Sequence, residues 1–215
     1  MRTPLIIAVD GPAASGKGTI ARALARHYGL PHLDTGKLYR ATGLATLRAG
    51  HSPHDEAAAT AAAQSLDPAL LEDPALLSDA AATAASIVSA HPAVRAALLA
   101  RQHAFAARPG GAVLDGRDIG TVICPQAPAK LFVTARPEVR AARRHAELAP
   151  ARSYEEVLAD IAARDARDSA RSTAPLVRAP DAALLDTSDL AIDAAVGQAI
   201  LLVEDALARN GQNIG

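Results

Sequence analysis

Aromatic side chains are almost absent from this sequence of 215 residues, which contains two Phe, three Tyr and no Trp. Proteins that bind single-stranded nucleic acid usually stack the bases on aromatic side chains, and so few aromatic residues cannot build such a platform. The formal net charge is −1, whereas a surface that binds the phosphate backbone of a nucleic acid requires an excess of positive charge. We therefore expect no nucleic-acid partner, and any bound nucleotide should be recognised by hydrogen bonds and charge.

Cysteine and long apolar segments are scarce as well. The single cysteine, Cys124, excludes a disulfide framework and a cysteine-based zinc site, and it favours a small core residue in a reducing compartment. No segment approaches the roughly 20 apolar residues of a membrane helix. The apolar run 5–9 ends at Asp10 and is too short for a signal peptide. We expect no membrane partner and a cytoplasmic location.

Alanine and arginine dominate instead. Alanine supplies 54 of the 215 residues, so the core must be built from Ala, Leu, Val and Ile. The basic residues are 19 Arg and three Lys, and arginine is the better fork for phosphate groups. At this length about 70% of the surface of the unfolded chain can be buried, which predicts one domain with a small insertion.

Short apolar runs alternate with helical segments along the chain. The run Leu5–Asp10 is rich in β-branched residues and predicts a strand buried on both faces. Further strands are predicted at 32–34, 112–114, 130–134 and 183–185. Helices are predicted at about 16–28, 35–49 (with Thr35 as a cap), 137–148, 153–170 and 190–208, and residues 55–105 are helical in composition. This alternation predicts an α/β fold with a parallel sheet.

The segment after the first strand has the spacing of a phosphate-binding loop, Gly, four residues, then Gly-Lys. It consists of Gly11, Pro12, Ala13, Ala14, Ser15, Gly16, Lys17, Gly18 and Thr19. Glycines let successive backbone N–H groups point at phosphate oxygens, and the following helix offers its positive N-terminus. Lys17 can then reach the β- and γ-phosphates of ATP, and Thr19 can hold Mg²⁺. The extra glycine before Thr19 is typical of nucleoside monophosphate kinases.

A kinase whose acceptor is a phosphate needs cations instead of a general base, because the acceptor oxygen is already ionised. Arg164, Asp168 and Arg171 are spaced to share one face of a predicted helix. By spacing alone, a solvated face with ion pairs is the better interpretation. Arg40 lies on the second helix, and the segment 116–118 (Gly-Arg-Asp) follows a strand's carboxyl end, where doubly wound sheets bind ligands.

Together these segments resemble the bacterial cytidylate kinases, which phosphorylate CMP and dCMP. Two motifs are specific to that family, Asp-Gly-Arg-Asp-x-Gly-Thr at 115–121 and Arg-Asp-x-x-Asp-x-x-Arg-x-x-Ala-Pro-Leu at 164–176. Matching stretches also lie at 7–19, 33–40, 84–105 and 184–187. The resemblance implies a three-layer P-loop fold with a five-stranded parallel sheet, a helical lid and a nucleoside monophosphate-binding insertion.

The resemblance also implies roles for individual residues. Those implied to read the cytosine edge are Ser86, Arg95 and Asp118. Those implied to clamp the acceptor phosphate are Arg40, Arg117 and Arg171. The sugar side would be contacted by Arg164 and Asp168, and Thr35 would belong to the same CMP site. The implied catalytic residues are Lys17, Arg117, Arg164 and Arg171. The implied substrates are ATP and CMP or dCMP. Mg²⁺ would be held by Thr19, and Asp115 would reach that ion through water.

The same resemblance divides the single domain 1–215 into regions. The core would comprise about 1–35, 84–140 and 171–215, the monophosphate-binding region about 36–83, and the lid about 141–170, where Arg143 and Arg144 are weaker candidates for the phosphates of ATP. Residues 66–78 depart from the family, since they contain two prolines and no alternating strand pattern. We therefore expect the family's small β insertion to be lost or reduced, and we expect a monomer.

Two other functions stay open on the sequence. A kinase for another nucleoside monophosphate or for a small hydroxyl-bearing metabolite would share the loop, but a hydroxyl acceptor predicts an acidic base and fewer clustered arginines. A nucleotide-dependent switch is the third candidate. The final strand ends in Leu-Asp-Thr-Ser-Asp, without the Asn-Lys-x-Asp that reads guanine.

Overall fold

A computed structural model describes residues 4–148 and 152–211 of the chain. The chain divides into two compact units, one of residues 1–33 and 106–215 and the other of residues 34–105. The limits predicted above for the functional core, monophosphate-binding region and lid stay a prediction. Within the described residues, no helix is both long enough and apolar enough to cross a membrane.

The first unit is built on a five-stranded parallel sheet, as predicted. Its strands are β1 (Leu5–Asp10), β2 (His32–Asp34), β3 (Gly111–Gly116), β4 (Ala129–Thr134) and β5 (Ala183–Asp186). Their order in the sheet is β2-β3-β1-β4-β5, so β1 lies in the centre. Asp10, at the carboxyl end of β1, stands opposite Gly116 of β3 and Phe132 of β4. The phosphate loop and the segment 116–118 therefore start side by side.

Within the described residues, four α-helices lie wholly in this unit. They are α1 (Lys17–Tyr28), α6 (Pro137–Leu148), α7 (Tyr154–Ser169) and α8 (Ile192–Arg209). A core cluster that includes Ile7, Leu24, Leu131 and Val203 lies where α1 and α8 pack on the sheet. Burial of each large aliphatic side chain contributes roughly 1.5–3 kcal/mol. Helices α6 and α7 pack on each other, and Ser153 caps α7 through a capping box with Glu156.

The second unit is helical. It contains α2 (Thr35–Arg48), α3 (Glu56–Gln64), α4 (Asp79–Val88) and most of α5 (Pro92–Ala106). Residue Thr35 was predicted to cap α2, and this is wrong, because Thr35 is already helical. Asp34 is the cap, and its carboxylate accepts a hydrogen bond from the Lys37 N–H at 3.2 Å.

Two short 3₁₀ helices, Pro68–Glu72 and Pro74–Leu77, occupy the segment that departs from the family pattern. Each is capped by the aspartate before its proline, Asp67 and Asp73 respectively. Asp73 also accepts from Arg48 of α2 at 2.6 Å. The segment thus contains no strand, which agrees with the expected loss of the β insertion.

Candidate nucleotide-binding site

The phosphate loop leaves the buried end of β1 and enters α1. At Gly11 φ is +153°, and a Cβ there would lie 2.0 Å from the carbonyl oxygen of Val133 on β4, so only glycine fits. Gly16 is the N-cap of α1 in the left-handed region, and the first turn carries no acidic side chain. Lys17 Nζ donates to the carbonyl of Pro12 at 3.2 Å, so its side chain curls back over the loop. This arrangement provides backbone N–H groups, a helix N-terminus and an ammonium group for phosphate oxygens.

Beside the loop lies a cavity of about 550 Å³. It is lined by residues 14–20 of the loop and α1, by Arg143 of α6, and by apolar side chains that include Leu190 and Ile192. An apolar wall next to a phosphate cradle suits the base of a nucleotide whose phosphates lie in the loop. No residue for the donor base could be predicted from the sequence, because these side chains belong to no motif.

Thr187 and Arg143 support the loop from the side of this cavity. The Thr187 hydroxyl donates to the carbonyl of Ser15 at 3.0 Å, which links the end of β5 to the loop. Arg143 donates to the hydroxyl of Thr187 at 3.0 Å and to its carbonyl at 2.7 Å. The neighbouring Arg144 contacts Glu147 at 3.0 Å. Of the two arginines that were weaker candidates for the phosphates of ATP, Arg143 lines the cavity.

A buried carboxylate, Asp168, brings two arginines of the first unit together. One of its oxygens accepts from Arg117 Nε at 2.8 Å and the other from Arg171. Asp168 is only 1% exposed. Burial raises the pKa of its carboxyl group, but the charges of Arg117 and Arg171 outweigh this, and the pKa lies below its ordinary value. Asp168 is therefore ionised at neutral pH and holds two guanidinium groups together.

Arg171 does not lie on the helix, contrary to the prediction that it shares a helix face with Arg164 and Asp168. Helix α7 ends at Ser169, and Arg171 reaches the carboxylate from the next segment. That segment is held by a hydrogen bond from Leu176 N–H to the Asp168 carbonyl at 2.8 Å. Ala174 adopts φ +53°, which costs an alanine roughly 1–2 kcal/mol. The segment that follows Arg171 therefore carries backbone strain.

The turn after β3 is fixed by a second buried carboxylate. Asp10 accepts from the N–H groups of Ile119 and Gly120 at 2.8 Å each. These two residues begin a one-turn π-helix, Ile119–Ile123, which the sequence did not predict. Asp118 precedes it and is buried. The residue implied to read cytosine is therefore placed by a hydrogen-bonded turn.

Of the remaining residues implied to bind CMP, Arg164 lies on α7 of the first unit, and the others belong to the second unit. Ser86 and Arg95 are buried there. The Arg95 guanidinium lies 5.7 Å from the ring centre of Tyr39, which suits a cation–π interaction. Arg40 Nε is buried without a hydrogen-bond partner among the described residues. Thr35 is also buried, in the first turn of α2. The structure thus joins Arg117, Asp168 and Arg171 in one unit, while Ser86 and Arg95 lie in the other.

Two further contacts in the structure were not predicted from the sequence. His32 Nε2 lies 2.7 Å from Asp115 Oδ2, which joins the ends of β2 and β3. Arg140 of α6 contacts Asp165 of α7 at 2.7 Å. The two members of each pair are 83 and 25 residues apart in the chain, so no local pattern indicates them.

Several known proteins are similar to this chain over most of its length. A family model described as cytidylate kinase matches residues 7–205. A cytidylate kinase of Xanthobacter autotrophicus is 63% identical over 203 residues, which cover 93% of this chain and 97% of the relative. One of Caulobacter vibrioides is 56% identical over 208 residues, covering 95% and 98%. The crystal structure of a gluconokinase from Sinorhizobium meliloti aligns with a TM-score of 0.52, covering 100% of this chain and 97% of the other. At 18% identity it is similar in fold alone.

The family model spans most of the chain, and these relatives exceed half identity over nearly their whole length. The phosphate loop, the arginine-bearing turn after β3 and the cluster around Asp168 are the parts on which the resemblance was based. The chain belongs to the cytidylate kinase family.

Proposed function

We propose that this chain transfers the γ-phosphoryl group of ATP reversibly to the 5′-phosphate of CMP or dCMP, giving CDP or dCDP. The observation that carries the residue assignment is the register of the sheet. Asp10 and Gly116 stand opposite each other on β1 and β3. The donor loop therefore starts beside Arg117, which would hold the acceptor, and the two phosphates are brought to the same edge of the sheet.

On the donor side, the loop N–H groups and Lys17 would hold the β- and γ-phosphates. The cavity lined by Arg143 and the apolar residues 190–192 would take the base and sugar. The hydrogen bond of 3.0 Å from the Thr187 hydroxyl to the Ser15 carbonyl holds the loop to the end of β5. A rigid cradle is what phosphoryl transfer requires, because its catalysis is mainly positioning and charge stabilisation.

On the acceptor side, Arg117 and Arg171 would clamp the phosphate of CMP, with Arg164 as a further cation. The role of Arg40, which the resemblance implies, stays a prediction. A phosphate monoester is largely ionised at neutral pH, so its oxygen attacks without a general base. The task of the protein is to bring two anions together, and guanidinium groups neutralise their repulsion. The acceptor oxygen attacks the γ-phosphorus in line while the bond to the β-phosphate oxygen breaks, and ADP leaves.

Asp168 is best supported as the residue that orients these arginines. Each of its oxygens accepts from one guanidinium group, and the carboxylate is buried. Contact with the ribose hydroxyl, which the resemblance implies, stays a prediction. Base reading by Ser86, Arg95 and Asp118 likewise stays a prediction. An acceptor such as the Asp118 carboxylate suits the exocyclic amine of cytosine, and Arg95 suits its O2 and N3.

Magnesium would act with ATP. Among the described residues there is no group of three or more His, Cys, Asp or Glu side chains that could hold a metal. In kinases, Mg²⁺ is bound largely by phosphate oxygens and water, with only one or two ligands from the protein. Thr19 would supply the protein ligand, and its hydroxyl is exposed at the start of α1, 3.2 Å from Arg22 Nη2. The ion would neutralise charge on the phosphates of the donor.

A panel of acceptors tests the proposal. Initial rates are measured with ATP and Mg²⁺ against CMP, dCMP, UMP, AMP, GMP and a sugar. We expect CMP and dCMP to give kcat/KM values at least about tenfold above the others, since one base-specific contact is worth that much. Removal of Mg²⁺ by a chelator should abolish turnover. Arg209→Ala, which alters an exposed ion pair on α8, is the control and should leave the rates unchanged. Turnover with the sugar and none with CMP would overturn the proposal.

A further inference from the structure

Arg140, in the first turn of α6, is a buried cation to which neither motif assigns a role. It is 3% exposed. Its Nε donates to the carbonyl of Ala135 at 2.8 Å, and Nη1 donates to the carbonyl of Ala13 in the phosphate loop at 3.3 Å. The two terminal nitrogens also bind both oxygens of Asp165 on α7, at 3.1 and 2.7 Å. One guanidinium group thus contacts the donor loop and helix α7 together.

The same part of the loop touches both helices by a second interaction. Ala14 packs against the small apolar cluster between α6 and α7, formed by Ala141, Val157 and Ile161. Ala14 also adopts φ +56°, a conformation that an alanine rarely takes. A strained residue persists where its surroundings over-determine it. The conformation of the loop at 13–14 is therefore tied to the position of the helix pair.

Helix α7 then connects Arg140 to the acceptor arginines. Asp165 and Asp168 are three residues apart, so they are neighbours on one side of the helix. Asp168 binds Arg117 and Arg171. A continuous series of contacts therefore runs from the donor loop through Arg140 and Asp165, along one helical turn, to the arginines proposed to hold the acceptor.

We propose that Arg140 is a positioning residue that, through Asp165, sets helix α7 against the donor loop and thereby places Arg117 and Arg171 relative to ATP. The inference rests on the proposed function of those arginines. Arg140 is not expected to touch either substrate. Its loss should leave each nucleotide able to bind alone, while the two bound phosphates are misplaced relative to each other. A misplacement of about 1 Å can cost about 100-fold in rate.

Two variants and a matched control test this. Arg140→Lys keeps the charge but loses the planar fork. Asp165→Asn removes the carboxylate, which is partly exposed, and leaves the bonds of Arg140 to Ala13 and Ala135 in place. The control is Arg136→Lys, because Arg136 forms an equally bidentate pair with Asp189 at 2.8 and 2.6 Å, but on the surface. Far-UV circular dichroism and melting temperature identify a temperature at which all variants are folded.

At saturating ATP and CMP, we expect kcat of Arg140→Lys and Asp165→Asn to fall about 10- to 100-fold. The Kd of each nucleotide measured alone should stay within about twofold of wild type. The double variant should lose no more than the worse single variant, since the two residues act as one unit. Arg136→Lys should keep the wild-type kcat.

Three results would overturn the inference. Unchanged kcat in both variants would show that the pair does not position the arginines. A similar loss in the Kd of either nucleotide alone would show that Arg140 shapes that nucleotide's own binding site, and not the placement of one nucleotide relative to the other. Additive losses in the double variant would separate the two residues. Failure of the proposed function is distinguishable, because wild type would then show no turnover with CMP at all.

Discussion

The free energy of unfolding of this chain should decrease as the pH rises from 5 to 8, because of the carboxyl group of Asp10. Asp10 lies at the end of the central strand and is 5% exposed. Its burial raises the pKa from 3.8 to about 7, although the N–H groups of Gly120 and Ile119 oppose the shift. The charged neighbours are Asp118, which raises the pKa further, and Arg117, which lowers it.

The sign follows from proton linkage. An acid whose pKa is higher in the folded state binds its proton more tightly there, so it stabilises the fold at low pH. This contribution is fully present below pH 3.8 and is lost as the pH rises through about 7. One pKa unit corresponds to about 1.4 kcal/mol, and the part of the shift that falls between pH 5 and 8 amounts to about 2–3 kcal/mol. Cys124 has a pKa raised to about 11 and Asp168 a lowered one, so both act outside this interval.

The assay is urea unfolding of the ligand-free chain at pH 5, 6, 7 and 8, for wild type and Asp10→Asn. The asparagine does not titrate. The free energy of unfolding of Asp10→Asn should therefore decrease less than that of wild type between pH 5 and 8, and the difference should be about 2–3 kcal/mol. A constant offset from altered hydrogen bonds cancels, because only the change with pH is compared. Asp186→Asn is the control, since Asp186 also ends a strand but is exposed and has a lowered pKa. Equal pH dependence in wild type and Asp10→Asn would refute the reasoning.

Three further outcomes are expected. Lys17→Ala should lower kcat by at least about 100-fold while the melting temperature stays near wild type, because a charge-stabilising donor is lost; normal turnover would refute the donor assignment. Asp118→Ala should raise the KM for CMP about 10- to 100-fold with little change in the Kd for ATP; equal losses for both nucleotides would contradict its assignment to cytosine. Gly111→Ala should destabilise by about 3 kcal/mol or more in urea unfolding, since its Cβ would lie 2.0 Å from the Leu5 carbonyl oxygen. The control Gly110→Ala, also at positive φ but in open space, should lower the free energy of unfolding by only about 1–2 kcal/mol. Equal destabilisation in the two variants would contradict the predicted clash at Gly111.

Much of the fold was accessible from the sequence because its signals are local. The central strand is a continuous apolar run, and strands and helices alternate, which together predicted the parallel sheet. The cap of α2 was misplaced by one residue because Asp34 and Thr35 are both good cap residues. The π-helix 119–123 was missed because it depends on the buried Asp10 carboxylate, 109 residues away, which binds the Ile119 N–H.

The candidate site was accessible only in part. The phosphate loop has a fixed spacing, so its residues could be named. The partner of Asp168 could not, because Arg117 lies 51 residues away and meets it only in the folded chain. Arg171 was placed on the helix because its spacing fits a helical period, whereas α7 ends two residues earlier. Arg140 and His32 carry no motif, and their contacts depend on how the elements pack.

Two kinds of ion pair with buried or bidentate arginines differ in how many guanidinium groups share one carboxylate. Arg140 binds Asp165 through two nitrogens, and Arg136 binds Asp189 in the same way, so each carboxylate satisfies one fork. Asp168 instead receives one nitrogen from each of two guanidinium groups, Arg117 and Arg171. Bringing two cations together in a buried place is costly unless additional negative charge joins them. The one-to-one pairs of Arg140 and Arg136 therefore tie elements of the fold together, whereas Asp168 gathers two cations in one place, where the binding of a phosphate group stays a prediction.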